Sequence, residues 1–411
     1  MSTNGGGRMR RWQEQRWILD AVIRTVGVEW DQGRLRYGAA PGGSQAAGEF
    51  RTVGSKIKRV GDFVREFSNA ATRREKKAAA FEAAGRSVSA RESYMTASLL
   101  WAAGRWPIFE TNDELENLEK RMNYCYAKFI EFAPHPVEIV RIPFQGKELP
   151  AYLHLPRKAN PGETFPCVVN IPGMDSSKET GVNMYGDAYL ERGIAVLSID
   201  GPGQAESVAL GIFVTNSNHM DAAEVVIDWL EKHPAIDSEK LLVRGSSFGT
   251  YWGLQWAAAL GNRIKGVAVS GVCHEPGCDT IFNTASPSFK LRYMWMSDYD
   301  DEAEFDKFAR TIDLRPFVPS ITCPVLIMAG EQDQLSPVEH SYDVFDLITA
   351  PKEIVVYEGA NHSVADASSV VLGDNPKDYL VNWLEERINE KTFESVKGFV
   401  DSSGHRVDTP A

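Results

Sequence analysis

The sequence predicts an α/β protein: a mostly parallel, doubly wound sheet preceded by an all-helical segment. Three observations carry this reading. Short apolar runs at 167–171, 195–199, 241–244, 267–270, 325–329 and 354–357 alternate with helical stretches such as 221–232 and 379–388, the pattern of buried parallel strands with crossover helices. The first 135 or so residues show helical spacing only. Charge changes across the same boundary, with 18 Lys+Arg against 10 Asp+Glu in residues 1–100 and 26 against 46 in the rest, which marks a domain division.

Taken in order, Ile18, Ala21, Val22, Thr25 and Val26 form the apolar face of a helix over 12–26, and Ile57, Val60, Val64 and Phe67 predict a second helix. The Gly- and Pro-containing stretch 38–44 between them reads as a surface loop. Capping boxes at Ser89–Glu92 and Thr111–Glu114 predict two more helix starts. Tyr94, Trp101 and Trp106 read as core. After Pro134 and Pro136 the period becomes that of strands, and 137–144, Gln145-Gly146 and 151–155 predict a β-hairpin. The stretch between Gly271 and Thr322 exceeds a simple connection and predicts a cap element with Phe289, Tyr293, Trp295 and Met296 as its apolar face. The division expected is a helical lid domain over 1–136, a catalytic domain over 137–400 with an insertion at 274–317, and a loose tail over 401–411.

Composition narrows the function classes. Hydrophobic residues at 43% and charged residues at 24% suit a globular core. A formal charge of −12 argues against a nucleic-acid partner. The five scattered cysteines fit reduced thiols in a cytoplasmic protein. Cys273 and Cys278 lack a second pair at metal spacing, so no metal or cofactor is expected. The N-terminus lacks a signal-like apolar run and no segment reaches the roughly 20 apolar residues of a membrane span, so no membrane association is expected.

The chemistry is concentrated in three strand ends. Residues 241–253 read strand, G-x-S-x-G (Gly245-Ser-Ser247-Phe-Gly249), helix. Such a turn projects the serine hydroxyl above the sheet edge and requires glycines for steric room. Asp333 follows the 325–329 strand, and His362 follows the 354–357 strand. The chain order Ser, Asp, His is that of an α/β-hydrolase triad, which makes Ser247 the candidate nucleophile, His362 its base and Asp333 the orienting acid. The other histidines (His135, His154, His219, His233, His340, His405) read as exposed or capping. An oxyanion needs donors, and the backbone N–H of Phe248 and of Met174, in the loop after the 167–171 strand, are the candidates, with Gly173 permitting close approach. Asp200, in Asp200-Gly-Pro-Gly-Gln204, reads as a structural turn residue capping backbone N–H groups.

Gly173-Met-Asp-Ser-Ser-Lys-Glu179, Asp200-Gly-Pro-Gly-Gln204, Arg244-Gly-Ser-Ser-Phe-Gly249 and the 29-residue step from Asp333 to His362, behind a helical N-terminal segment, resemble the 2,6-dihydroxypseudooxynicotine hydrolase group. That group includes fungal hydrolases that shorten polyketide pigment precursors and is related to FrsA-like and prolyl-oligopeptidase-like esterases. The resemblance spans nearly the whole chain, although Gly-Met stands here where many relatives have Gly-Gly. It implies hydrolysis of a C–C bond next to a ketone in an aromatic or polyketide-like small molecule. It also implies a pocket covered by the helical domain and the insertion, and a homodimer, since family members commonly dimerise. His274 and Glu275 are candidate substrate-orienting residues against a loop salt bridge as the plainer reading, and Trp295 is a candidate substrate contact. The alternatives are a carboxylesterase acting on a bulky ester and a binding protein that keeps the fold without catalysis.

Overall fold

The computed structural model describes residues 9–157 and 162–411; the Met1–Arg8 end considered above for a signal sequence lies outside them. Six helices come first: α1 (Arg10–Thr25), α2 (Arg34–Ala39), α3 (Gly43–Gly54), α4 (Phe63–Ala83), α5 (Ser87–Gly104) and α6 (Asp113–Glu131). The strands are β1 (Val137–Phe144), β2 (Lys147–His154), β3 (Phe165–Ile171), β4 (Ala195–Ile199), β5 (Ile236–Ser246), β6 (Gly266–Ser270), β7 (Val325–Gly330), β8 (Lys352–Tyr357), β9 (Val396–Val400) and β10 (Arg406–Pro410). Between them lie α7 (Ala188–Glu191), α8 (Ala205–Ala209), α9 (Asn218–Glu231), α10 (Phe248–Leu260), α11 (Pro287–Met296), α12 (Glu302–Ala309), α13 (Val338–Leu347), α14 (Ser368–Leu372) and α15 (Pro376–Ile388).

All ten strands form one sheet in the order β1-β2-β4-β3-β5-β6-β7-β8-β9-β10. Pairing is parallel from β4 through β9 and antiparallel at both edges. This is the α/β-hydrolase arrangement expected from the alternating pattern, with helices covering both faces. The central strands are buried along their whole length, as in β4 and β7, which explains why they read as continuous apolar runs.

The N-terminal helical segment packs Phe50, Phe63, Phe67 and Trp106 against one another, and this core is continuous with that of the sheet. Tyr126 of α6 stacks on Tyr152 of β2 at 4.5 Å, and one apolar cluster runs from Trp12 and Phe67 through Leu153 to Val267. β2 is therefore buried over its last six residues, because helices cover the face that a free hairpin would expose.

Several local expectations are corrected. Residues 401–411 are not loose: after a turn they return as β10, pairing antiparallel with β9. Lys397 and Arg406 flank this pairing, and the short polar strands lack the apolar run that signals a buried strand. The stretch 38–44 is helical, with Ala39, Pro41 and Gly42 buried, rather than a surface loop; its small residues admit close packing, a Cβ on Gly42 falling 2.7 Å from that of Ala46. Ile57 and Val60 precede α4 instead of lying on it. Helix α5 begins two residues before Ser89 without a side-chain cap. At α6 it is Asn112, not Thr111, that caps, accepting from the N–H of Leu115 at 2.9 Å.

Candidate active site

Ser247 links β5 to α10 with φ 54° and ψ −128°, a left-handed conformation that costs a residue with a Cβ about 1–3 kcal/mol. The turn is held by hydrogen bonds. The Ser247 N–H donates to Ser270 O at 3.2 Å, and the Ser247 carbonyl accepts from the N–H and the hydroxyl of Thr250 at 2.8 and 2.7 Å. Gly249 is required by proximity, since a Cβ there would lie 2.2 Å from Ile171 O. Ser247 also stands at the N-terminus of a 13-residue helix, where unpaired N–H groups give a partial positive charge.

Asp333 follows β7 and is buried. Its Oδ1 accepts from the N–H groups of Leu335 and Ser336 at 2.8 and 3.1 Å. His362, also buried, places Nδ1 2.9 Å from Asp333 Oδ2 and Nε2 3.0 Å from Ser247 Oγ. A carboxylate only accepts, so Nδ1 carries the proton and Nε2 presents its lone pair to the serine hydroxyl. The loop carrying Gly173 passes directly over the serine, with a Cβ on Gly173 falling 2.8 Å from the Ser247 Cβ. Phe248 opens α10, and Met174 follows Gly173 with only 7% exposure. Ser247, His362, Asp333, Phe248 and Met174 thus converge at one sheet edge.

The remaining candidates have hydrogen-bond partners outside the serine–histidine–aspartate chain. His274 is buried, with Nδ1 3.1 Å from Ser341 Oγ; burial lowers its pKa to about 3, so it is neutral. The Glu275 carboxylate accepts from the N–H and hydroxyl of Thr280 at 2.8 and 3.0 Å, holding the turn into a π-helix at Thr280–Thr284. Neither residue forms the loop salt bridge. Trp295 is buried with the rest of the insertion's apolar face, and its Nε1–H reaches Thr111 Oγ1 at 3.3 Å, joining the insertion to the helical segment.

Two histidines read as exposed or capping are in fact core. His154 is fully buried between Tyr126 and His135, at 3.2 and 3.0 Å. His219 lies in the first turn of α9, but its ring stacks on Trp252 at 4.4 Å and its Nε2 meets Pro202 O at 3.0 Å. Its polar helix-start context gave no sign that the ring turns inward. Asp200 does cap backbone, accepting from the N–H of Lys178 at 2.8 Å, and it also joins a buried cluster in which Lys178 Nζ meets Glu179, Asp200 and Glu206 at 2.7, 3.3 and 2.7 Å.

One positioning contact was not anticipated. The Gln204 amide donates to Pro172 O at 2.6 Å while its oxygen accepts from Gly201 N–H at 2.8 Å, tying the turn after β4 to the loop over Ser247. The glycine-rich turn was visible in the sequence, but its partner was not. Trp12, Trp30, Phe63, Trp106 and Phe109 of the helical segment line a cleft together with Arg34 and Asp175; Ser247, His362 and Asp333 do not line it.

The family model for Esterase FrsA-like proteins matches residues 50–357. This chain belongs to the FrsA-like esterase family. It is 25% identical to the 2,6-dihydropseudooxynicotine hydrolase of Paenarthrobacter nicotinovorans over 320 residues, covering 77% of this chain and 83% of that protein. The Alpha/beta hydrolase psoB of Aspergillus fumigatus is 29% identical over 318 residues, 66% and 71% of the two chains. Esterase FrsA of Photobacterium profundum is 22% identical over 215 residues, and the chain spans only 50% of that relative's length. The fold matches the crystal structure of the 2,6-dihydroxy-pseudo-oxynicotine hydrolase with a TM-score of 0.73 over 88% of this chain and 97% of that one, at 22% identity. The FrsA-like protein is an enzyme of the α/β-hydrolase class. Among its described residues no helix is long and apolar enough to cross a membrane.

Proposed function

We propose that Ser247 is the nucleophile of a serine hydrolase, with His362 as base and Asp333 as the acid that orients it. The observation that carries this reading is the hydrogen-bonded chain from Ser247 Oγ through His362 to Asp333, at 3.0 and 2.9 Å, set on a strained turn at a helix N-terminus. Ser247 Oγ attacks a carbonyl carbon as its proton passes to His362 Nε2, and Asp333 stabilises the imidazolium. The N–H groups of Phe248 and Met174 receive the oxyanion.

For the substrate, the reading is a small molecule of aromatic or polyketide-like character, cleaved at the C–C bond next to a ketone. The resemblance to the 2,6-dihydroxypseudooxynicotine hydrolase group supports both the ring-bearing substrate and ketone cleavage. As the tetrahedral adduct collapses, the C–C bond pair goes to the departing carbon, which takes the proton from His362. Water then releases the carboxylic acid from Ser247. Membership of an esterase family favours a second reading, carboxylesterase action on a bulky ester, which needs the same groups without a stabilised carbanion. A non-catalytic binding role would leave the serine–histidine bond without use.

A fluorophosphonate probe should label the wild type and not Ser247→Ala, and an unlabelled wild type would remove the reading of Ser247 as nucleophile. Aryl 1,3-diketones assayed beside p-nitrophenyl esters of similar size then separate the two substrates. Higher kcat/KM on the diketone is expected, and turnover of esters alone would establish the carboxylesterase.

A further inference from the structure

The loop over Ser247 is anchored at both ends, and a single long hydrogen bond spans its middle. Pro172 O is held by Gln204 at 2.6 Å, and Lys178 N–H donates to Asp200 Oδ1 at 2.8 Å. Between these anchors the Ser176 N–H reaches Gly173 O at 3.3 Å, a four-residue turn with Met174 and Asp175 at its two central positions. The Met174 N–H shares its peptide plane with the Gly173 carbonyl, and at 3.3 Å the bond on that carbonyl is longer than an ordinary N–H···O bond, so a side chain that adds a second restraint to the turn affects the donor.

The Asp175 side chain is in a position to do so. Its Oδ2 faces Arg34 NH2 at 3.8 Å and its Oδ1 faces Arg292 Nε at 3.7 Å, with side-chain exposures of 14%, 6% and 4% for the three residues. Arg34 comes from α2 in the helical segment and Arg292 from α11 in the insertion. Each arginine is itself fixed. Arg34 pairs with Asp31 and lies over the Phe289 ring at 5.6 Å, while Arg292 donates to the carbonyls of Arg105 and Trp106 at 3.1 and 2.8 Å. The Arg292 Nε is buried without a hydrogen-bond partner, so the nearby carboxylate is what balances it. In a dry site, charges separated by less than 4 Å interact far more strongly than in water.

We propose that Asp175 is a positioning residue through which the helical segment and the insertion jointly set the Met174 N–H as an oxyanion donor. This rests on the oxyanion reading given above. The cover is then part of the catalytic apparatus. Only when α2 and α11 are both seated do Arg34 and Arg292 grip the same carboxylate and fix the turn, so that donor geometry and exclusion of water arise together.

The test uses full-length wild type, Asp175→Asn, Asp175→Glu, Arg34→Gln and the Asp175→Asn/Arg34→Gln double variant. The substrate is p-nitrophenyl acetate, too small to need the aromatic cleft, and the inhibitor is a small trifluoromethyl ketone that forms an oxyanion on the serine. Asp175→Asn is expected to lower kcat by about 10- to 100-fold with KM within about two-fold, the signature of an interaction made in the transition state. Affinity for the ketone should fall by the same factor, Asp175→Glu should recover part of kcat, and the double variant should be no worse than either single one. Unchanged kcat in Asp175→Asn, losses confined to KM, or losses that multiply in the double variant would overturn the proposal. If Asp175→Asn does not fold, Arg34→Gln carries the same readout. A failure of the site reading itself is distinguishable, because Ser247→Ala would then retain activity.

Discussion

At the strand edge, Ser247, His362 and Asp333 are joined by hydrogen bonds of 2.9–3.0 Å, the side chains carried just past the ends of the parallel strands β5, β8 and β7. At the interface between the helical segment and the insertion, Arg34, Asp175 and Arg292 meet at 3.7–3.8 Å, supplied by elements with no shared backbone pairing. The first region is made rigid by the sheet: a strained turn persists because the backbone groups around it are over-determined. The second depends on side-chain packing and on charges withdrawn from water, so it is the region where small changes can alter geometry without unfolding the protein. Buried imidazoles show the same contrast. His362 has a partner on each ring nitrogen, whereas His274 and His219 each keep one ring nitrogen unpartnered, as core residues held mainly by packing.

The largest effect expected from breaking the strand-edge region is that of Ser247→Ala. Ester hydrolysis should fall by about 10⁴-fold or more, with thermal stability retained because the hydroxyl contributes little packing. Wild-type-like turnover in a folded Ser247→Ala protein would show that the hydrogen-bonded array is structural. A subtler disturbance is Gly173→Ala, whose new Cβ would sit 2.8 Å from the Ser247 Cβ and 3.3 Å from Oγ. It should cost about 10²-fold in kcat and also lower the melting temperature, because the Ser246 carbonyl lies 3.1 Å from the same Cβ and the turn has little freedom to shift; steady-state kinetics beside a thermal melt measures both.

The buried charges near the helical segment respond to pH instead. Burial pushes the Glu119 carboxyl up to about 7, above its ordinary value of about 4.3. With a raised folded-state pKa, its contribution to stability is fully present below the ordinary pKa and is lost as pH rises through the folded value. Glu119→Gln should therefore gain stability relative to wild type between about pH 4.3 and 7, by up to about 1.4 kcal/mol per unit, and then level off. Urea unfolding across that range checks it, and a difference independent of pH would place the carboxyl in a wetter setting. The smallest effect belongs to Trp295→Phe, which removes the bond to Thr111 but keeps an aromatic ring. A loss of about 1 kcal/mol is expected from denaturant titration, with kcat on small esters unchanged. A large kcat loss there would make Trp295 part of the site.

What the amino-acid sequence determined by itself is the strand-edge region. Each of Ser247, Asp333 and His362 follows within about five residues of a short apolar run, and in a parallel sheet such runs bring their carboxyl ends to one edge. The Gly-x-Ser-x-Gly turn is legible because its steric demands act on adjacent residues. The corrected elements share the opposite property. Residues 406–410 become β10 only because β9 offers an edge to pair with, and 38–44 is helical because neighbouring helices cover it. His219 is core because Trp252 lies against its ring at 4.4 Å. The meeting of Arg34, Asp175 and Arg292 brings together three segments whose local sequences carry no trace of one another. Only tertiary packing decided these, because burial of a polar or charged side chain depends on partners from distant segments to offset its lost hydration.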